Sequence, residues 1–131
     1  MPRQPPPTDR LLRGRRAYAA GQDAEALAAA ALTAEGWQIL AQRCRTEAGE
    51  IDLIAEHEGL LAFIEVKARP SLAEAAFALG PKQRARLVAA AEAWLAEHPN
   101  HGSAGMRFDV MLVAADGAIR RIADAFRADD A

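Results

Sequence analysis

Alternation of apolar and polar residues, interrupted by glycines, predicts the strands of this protein. The pattern predicts five strands, at residues 37–44, 50–56, 60–67, 106–113 and, more weakly, 119–122. A tight turn at Glu58 and Gly59 joins the second and third of these strands. These segments supply the β component of the domain.

A first helix is predicted before the strands. It starts around residue 9 or residue 21, runs to residue 35 and ends at Gly36, a typical helix stop. With Leu27 set at zero and 100° per residue, the small apolar residues fall within an arc of about 140°. They are Ala20, Ala24, Ala28, Ala31 and Leu32. Glu25 falls about 20° beyond Leu32, at the rim of this stripe, where a carboxylate can reach across the edge of a sheet.

A second helix is predicted over residues 81–98, with Pro81 at its first position and Pro99 after its end. The alanine-rich residues 70–80 between the third strand and this helix are compatible with a short helix or a loop. The order of helix, three strands, helix and further strands indicates an α/β layered domain. We expect a single domain over residues 10–131, preceded by a disordered, proline-rich tail at residues 1–9.

Composition and charge narrow the possible functions. The net charge of −2 and pI of about 5.9 do not favour non-specific nucleic-acid binding by overall charge. The one cysteine, Cys44, excludes an internal disulfide and a multi-cysteine metal site. No apolar run is long enough to span a membrane, and the arginines before the alanine-rich stretch fit an amphipathic helix better than an export signal. We therefore expect a cytoplasmic protein with no membrane association.

The chemistry-bearing residues lie in two segments, G-E-I-D-L-I-A from Gly49 and F-I-E-V-K ending at Lys67. Residues two apart on a strand share a face, so Glu65 and Lys67 project together. Ile64 and Val66 are expected to be buried on the opposite face. The chain has fourteen arginines and only two lysines, which is a weak indication that a compact ammonium group is needed at Lys67.

The predicted turn also sets the register of the hairpin. Across a two-residue turn at residues 58–59, paired residue numbers sum to 117. This register places Asp52 across from Glu65 and Glu50 across from Lys67. Two carboxylates directly opposite each other repel, and a divalent cation between them removes the conflict.

Hard oxygen ligands from Asp52 and Glu65 suit Mg²⁺ or Mn²⁺, with waters and a substrate phosphate completing the ligand shell. Lys67 would orient or polarise the attacking water and stabilise charge developing on the phosphate. The three residues therefore indicate metal-assisted phosphodiester hydrolysis. The alternative is an ordinary surface hairpin with solvated carboxylates, in which Glu50 pairs with Lys67.

Several segments together resemble a known family. They are G-x-x-x-E at 21–25, G-E-I-D-L-I-A at 49–55, F-I-E-V-K-A-R at 63–69, P-K-Q at 81–83 and R-F-D-V at 107–110. Over about residues 14–126 the chain resembles the YraN-like family of uncharacterised bacterial proteins, which is similar to archaeal Holliday junction resolvases and belongs with the PD-(D/E)xK nuclease fold. The resemblance implies a restriction-endonuclease-like α-β-β-β-α-β core, a mixed sheet flanked by helices. It also implies a divalent metal, a nucleic-acid substrate and a homodimer.

The resemblance implies roles for individual residues. Asp52 and Glu65 would be the metal ligands and Lys67 the catalytic lysine, while Glu25 would be the acid of the first helix that supports metal or water. Ile51 stands where the proline of the name-giving motif would precede the aspartate, so the literal motif is incomplete.

Basic and polar residues near the predicted site form a candidate phosphate-binding rim. They are Lys82, Gln83, Arg84 and Arg86 at the start of the second helix, with Arg69 and Arg43. Positive charges at a helix N-terminus oppose the helix dipole, which favours a functional explanation. The alternative is a solvated helix face.

The leading hypothesis is a Mg²⁺- or Mn²⁺-dependent nuclease that hydrolyses DNA, with branched DNA as a candidate substrate. The alternative hypothesis is a nuclease-fold module that binds nucleic acid or a protein partner without cutting. Metal binding without turnover would favour the second hypothesis.

Overall fold

The computed structural model describes residues 24–72 and 79–128. Residues 24–34 form the described part of helix α1. The other elements are β1 (Gln38–Thr46), β2 (Gly49–His57), β3 (Leu60–Arg69), α2 (Pro81–Glu97), β4 (Gly105–Ala114) and β5 (Ile119–Phe126). The predicted tail at residues 1–9, the predicted start of the first helix and residues 73–78 of the ambiguous segment lie outside the described residues.

The five strands form one mixed sheet in the order β1-β2-β3-β4-β5. Neighbouring strands are antiparallel except β3 and β4, which are parallel and are connected through α2. A parallel pair needs such a crossover because the chain must return to the starting edge. The architecture confirms the predicted α/β fold, a mixed sheet flanked by two helices and consistent with a restriction-endonuclease-like core.

The β2–β3 turn is the predicted two-residue turn. Glu58 and Gly59 have φ values of 51° and 82°, the positive values that a type I′ hairpin turn requires. The pairing runs from His57 with Leu60 to Leu53 with Ile64. Each of these pairs sums to 117, so the predicted register is confirmed over this part of the hairpin.

Helix α1 ends as predicted at Gly36. Its φ of 95° is in the left-handed region, and its N–H donates to the carbonyl of Thr33 while the N–H of Trp37 donates to the carbonyl of Leu32. This pair of bonds is a Schellman motif, which satisfies carbonyls that the helix end would leave unpaired. The motif turns the chain directly into β1.

The sheet separates two apolar clusters, one beneath each helix. The cluster on the α2 side includes Ile54, Leu61, Phe63, Leu87, Trp94, Phe108 and Val110, and half-buried Cys44 packs against it. The cluster on the α1 side includes Ala28, Leu32, Trp37, Leu53, Ile64 and Met111. Successive residues of a strand point to opposite faces, so alternate residues of β3 supply both clusters.

The buried stripe of α1 differs from the predicted one. Leu27, which the helical wheel placed on the buried face, is 42% exposed, whereas Ala29 is 8% exposed. The stripe that meets the sheet contains Ala24, Ala28 and Leu32 and extends to Ala29. Because Ala29 lies on the far side of Glu25 from Leu32 on the wheel, Glu25 falls inside this stripe and not at its rim.

Candidate active site

The candidate site lies where the pairing of β2 with β3 ends. The Cα pairing of the two strands ends at Leu53 and Ile64, one residue short of Asp52. Oδ2 of Asp52 accepts a hydrogen bond from the backbone N–H of Val66 at 2.8 Å, so a side chain takes the place of a main-chain acceptor. The predicted direct opposition of Asp52 and Glu65, and that of Glu50 and Lys67, is therefore not formed. The aspartate instead reaches β3 through its own carboxylate.

Glu65 and Lys67 lie on β3 and share a face, as predicted. The Nζ atom of Lys67 is 3.1 Å from Oε1 of Glu65. Glu65 is buried, with 9% of its surface exposed, and its side chain is on the α2 side of the sheet by strand alternation. A buried carboxylate needs a charged or hydrogen-bonding partner, and Lys67 supplies one.

Glu25 approaches the site from α1. Its Oε2 atom is 2.6 Å from Nε of Arg43, which lies on the edge strand β1. Arg43 has a φ of 49°, in the left-handed region that non-glycine residues seldom adopt. The pairing of β1 with β2 also shifts by one residue between Ile39 and Ala41, which marks a β-bulge.

The charges of this cluster leave Asp52 without a cation. Among the described residues, Lys67 pairs with Glu65 and Arg43 pairs with Glu25, while Asp52 forms no salt bridge. The pKa of Asp52 is raised to about 6, mainly by burial and also by the charges of Glu65 and Glu25, against the lowering effects of the Val66 N–H and Lys67. In the described part of the chain, the carboxylates of Asp52, Glu65 and Glu25 thus share the two cations Lys67 and Arg43.

The carboxylates of Asp52 and Glu65 fit a hard divalent cation. Within the described ranges, no three His, Cys, Asp or Glu side chains are placed to hold a metal ion together. Asp52 and Glu65 supply two carboxylates, and Mg²⁺ is commonly held by one or two carboxylates with waters and substrate phosphates. Besides burial, the negative charges of Glu65 and Glu25 raise the pKa of Asp52, and an added positive charge would offset these charges. The residues therefore fit Mg²⁺ or Mn²⁺ and do not form an all-protein cage.

Replacing Asp52 with asparagine should stabilise the metal-free protein at pH 8 by about 1–2 kcal/mol. The pKa of Asp52 rises from 3.8 to about 6 on folding. Its stabilising contribution is therefore complete below pH 3.8 and is lost as the pH rises through 6. Partial solvation keeps the effect below the full shift, and the asparagine oxygen can still accept from Val66.

The measurement is chemical denaturation of Asp52→Asn and wild-type protein in EDTA between pH 4 and pH 8. The stability difference should grow with pH, since other titrating groups cancel in the comparison. A difference that does not change with pH would contradict the raised pKa of Asp52.

The predicted phosphate-binding rim is only partly exposed. Lys82 and Arg86 are exposed on the first turns of α2, and Gln83 is half-buried. Nη1 of Arg84 donates to the carbonyl of Leu79 at 2.7 Å. Its Nε atom is buried and has no hydrogen-bond partner within the described part of the chain. Arg84 therefore helps to fix the start of α2.

Two residues of the predicted rim, Arg86 and Arg69, have contacts with neighbouring parts of the chain. The side chain of Arg86 crosses Gly49, where an added Cβ would lie 3.1 Å from Cγ of Arg86. Since Gly49 also has a φ of 141°, this glycine of the G-E-I-D segment gives Arg86 the space to pass over the β1–β2 turn. Nη1 of Arg69 donates to the neighbouring carbonyl of Ala68 at 2.8 Å.

Asp109 is a polar residue for which the sequence suggested no role. It is fully buried, and its carboxylate contacts Arg107 at 3.0 Å and Arg121 at 3.1 Å. Oδ1 also accepts the N–H of Asp124 at 2.9 Å. Both guanidinium groups lie over the Trp37 ring, 5.2 and 4.7 Å from its centroid. The network joins β4, β5 and the end of α1, and it is structural.

The protein is an α/β protein whose mixed sheet, flanked by two helices, is consistent with a restriction-endonuclease-like core. The chain belongs to the family described as "Uncharacterised protein family UPF0102", whose model matches residues 24–113. This finding confirms the YraN-like resemblance of the sequence.

Curated relatives match most of the chain. A UPF0102 protein of Granulibacter bethesdensis is 59% identical over 121 residues, covering 92% of this chain and 77% of the relative. A UPF0102 protein of Azorhizobium caulinodans is 50% identical over 125 residues, covering 94% of this chain and 95% of the relative. A UPF0102 protein of Rhodopseudomonas palustris strain CGA009 is 49% identical over 112 residues, covering 86% of each chain.

Neither α2 nor the described part of α1 is long and apolar enough to cross a membrane.

Proposed function

We propose that this protein is a Mg²⁺- or Mn²⁺-dependent endonuclease that hydrolyses phosphodiester bonds of DNA, with branched DNA as the first candidate substrate. The observation that carries the proposal is the convergence of Asp52, Glu65 and Lys67 at the point where the β2–β3 pairing ends. Asp52 there lacks a counterion among the described residues and lies within electrostatic range of a second carboxylate. A cation-deficient carboxylate pair beside a lysine is suited to metal-assisted phosphoryl chemistry.

Each residue has a role that follows from its position. Asp52 and Glu65 would hold the ion, which would supply Lewis-acid polarisation of the scissile phosphate and of the attacking water. Lys67, next to Glu65, orients the water and stabilises negative charge that develops on the phosphate. Glu25 adds a third carboxylate from α1. The bond that breaks is a P–O bond, and the new P–O bond is formed by the water oxygen.

The start of α2 is the proposed nucleic-acid contact. Lys82 and Arg86 present exposed positive charge, Gln83 adds a polar group, and α2 has no acidic residue in its first turn. Arg84 lies on the same turns of α2, and Arg69, at the end of β3, is a further candidate contact. Such groups bind phosphates and position the duplex without reading its sequence. We place the protein in the cytoplasm and propose a homodimer as its assembly.

The test is a cleavage assay with purified full-length protein. Four-way junction, flap, duplex and single-stranded DNA are offered with Mg²⁺, Mn²⁺ or EDTA, beside an Asp52→Asn preparation made identically. We expect cutting that needs metal and is absent in Asp52→Asn, a variant whose metal-free fold is at least as stable. Equal cutting by both preparations would indicate a contaminant and would contradict the site.

The same proteins distinguish the alternative function. Mn²⁺ binding without cleavage of any of these substrates would favour a nucleic-acid- or protein-binding module on a nuclease fold. Titration calorimetry with Mn²⁺ alone and binding of labelled DNA in EDTA measure the two properties separately.

A further inference from the structure

The ion pair between Glu25 and Arg43 connects α1 to the edge strand β1 beside the candidate active site. At 2.6 Å it is the shortest salt bridge among the described residues. The Glu25 side chain is 19% exposed and that of Arg43 is 45% exposed. The carboxylate is thus inside the protein surface, while the guanidinium also faces solvent.

The backbone of β1 is distorted at Arg43. Its left-handed φ of 49° is unfavourable for a residue with a Cβ, and the β-bulge between Ile39 and Ala41 lies just before it. Such conformations persist where the surrounding structure requires them, and they concentrate at functional sites. Here the conformation accompanies the contact between the guanidinium and Glu25.

The contact affects which groups can join the metal site. The register of β1 with β2 puts Arg43 opposite Asp52, so the Glu25–Arg43 ion pair lies beside this residue of the site. Nevertheless, among the residues described, no three potential ligands are placed to hold one ion, and the nearest charged partner of Glu25 is Arg43. An arginine on this carboxylate competes with a cation for the same oxygens. A guanidinium binds a phosphodiester as readily as a carboxylate, so a nucleic-acid strand offers Arg43 another partner.

On the basis of the proposed function, we propose that Arg43 is a positioning residue that keeps Glu25 away from the divalent ion. This hold ends when a nucleic-acid phosphate replaces the Glu25 carboxylate as the partner of Arg43. Metal binding and nucleic-acid binding are then coupled through the exchange of one ion pair. By linkage, each ligand strengthens the binding of the other.

The first test is a double-mutant cycle on Mn²⁺ affinity, measured by titration calorimetry on full-length protein without nucleic acid. The four proteins are wild type, Arg43→Gln, Glu25→Gln and the double variant. Arg43→Gln should tighten Mn²⁺ binding at least fivefold when Glu25 is present and less than twofold in the Glu25→Gln protein. Since the measured quantity is metal affinity, it does not depend on cleavage.

Matched variants separate this effect from general charge and from folding. Arg45→Gln removes the same charge from an exposed residue of the same strand and should change Mn²⁺ affinity less than twofold. Arg43→Gly suits the left-handed backbone and should behave as Arg43→Gln does. Arg43→Lys keeps the charge and should restore affinity close to that of wild type.

The second probe is a labelled four-way junction DNA in EDTA. Arg43→Gln should weaken DNA binding by a larger factor in the Glu25→Gln protein than in the protein with Glu25, because Glu25 no longer competes for the arginine. Equal factors in both backgrounds would overturn the exchange.

The two proposals fail in different ways. If the wild-type protein binds Mn²⁺ and Arg43→Gln leaves this affinity unchanged or weakens it, only the role of Arg43 is overturned. Absence of Mn²⁺ binding in every variant would overturn the metal site and, with it, this inference.

Discussion

Replacing Lys67 with methionine should lower the rate of DNA cleavage about 100- to 1,000-fold while Mn²⁺ affinity stays the same or tightens slightly. Its Nζ atom is 3.1 Å from Oε1 of Glu65, and its side chain is 24% exposed, so the ammonium group is partly shielded from water. A charge in such a position stabilises a developing negative charge more strongly than an exposed lysine does. Methionine keeps a flexible apolar stem of similar length, so the loss reports on the charge.

The companion variant is Glu65→Gln, which should lose both cleavage and Mn²⁺ affinity. Glutamine keeps the shape and can accept a hydrogen bond from Lys67, but it removes the carboxylate charge that a hard cation prefers. The readouts are single-turnover cleavage and Mn²⁺ calorimetry on the same preparations. Glu92→Gln, an exposed residue on α2, is the matched control and should retain wild-type values in both. Cleavage at the wild-type rate by Lys67→Met would remove the lysine from the mechanism.

The hairpin that carries this site could be predicted from its sequence because turn chemistry acts locally. Glu58 and Gly59 adopt the two positive φ values of a type I′ turn, and this turn fixes the register up to Leu53 and Ile64. The end of the pairing could not be predicted in the same way. Extrapolation assumes that main-chain bonds continue, whereas the Asp52 side chain itself accepts the N–H of Val66.

The buried face of α1 shows a second limit of prediction from the sequence. Periodicity predicts a stripe, but on an alanine-rich helix many residues are small enough to face a sheet. Leu27 is one of the two leucines in the predicted stripe and would ordinarily be buried, yet it is 42% exposed and Ala29 is buried instead. Close packing against the sheet favours the small side chain, and the resulting rotation moves Glu25 into the buried arc.

The network around Asp109 is a third feature that the sequence could not predict, because it depends on contacts between distant segments. Arg107 is two residues away on the same strand, which a sequence pattern can show. Arg121 comes from β5 and Trp37 from the end of α1, and only the folded sheet brings them together. An isolated Asp within an apolar strand is therefore a signal of a buried ion pair whose partners the sequence alone does not identify.

Replacing Asp109 with alanine should lower the free energy of unfolding by about 3–5 kcal/mol. The carboxylate is fully buried and satisfies Arg107, Arg121 and the N–H of Asp124 together. Its removal leaves two guanidinium groups against Trp37 without their common counterion, and among the described residues the exposed Glu35 is then the acidic partner of Arg121. An unpaired charge in a buried site costs more than the pair contributed.

Urea denaturation of the full-length protein measures this loss. Asp109→Asn, which keeps an acceptor for the Asp124 N–H, should lose less, about 1–3 kcal/mol, and it provides a folded variant if Asp109→Ala is too unstable to purify. Asp116→Ala, at an exposed aspartate of the β4–β5 turn, is the matched control and should change stability by no more than about 1 kcal/mol. If Asp109→Ala loses no more stability than Asp116→Ala does, the result would contradict the network.

The origin of the loss can be tested by removing the orphaned charge as well. If unpaired arginine is the cause, adding Arg121→Met to Asp109→Ala should recover part of the lost stability, since methionine can pack against the Trp37 ring without a counterion. If the cause were only the cavity left by the carboxylate, the second substitution would destabilise the protein further. Recovery would show that this end of the sheet requires charge balance, with Asp109 neutralising the arginines that cover Trp37.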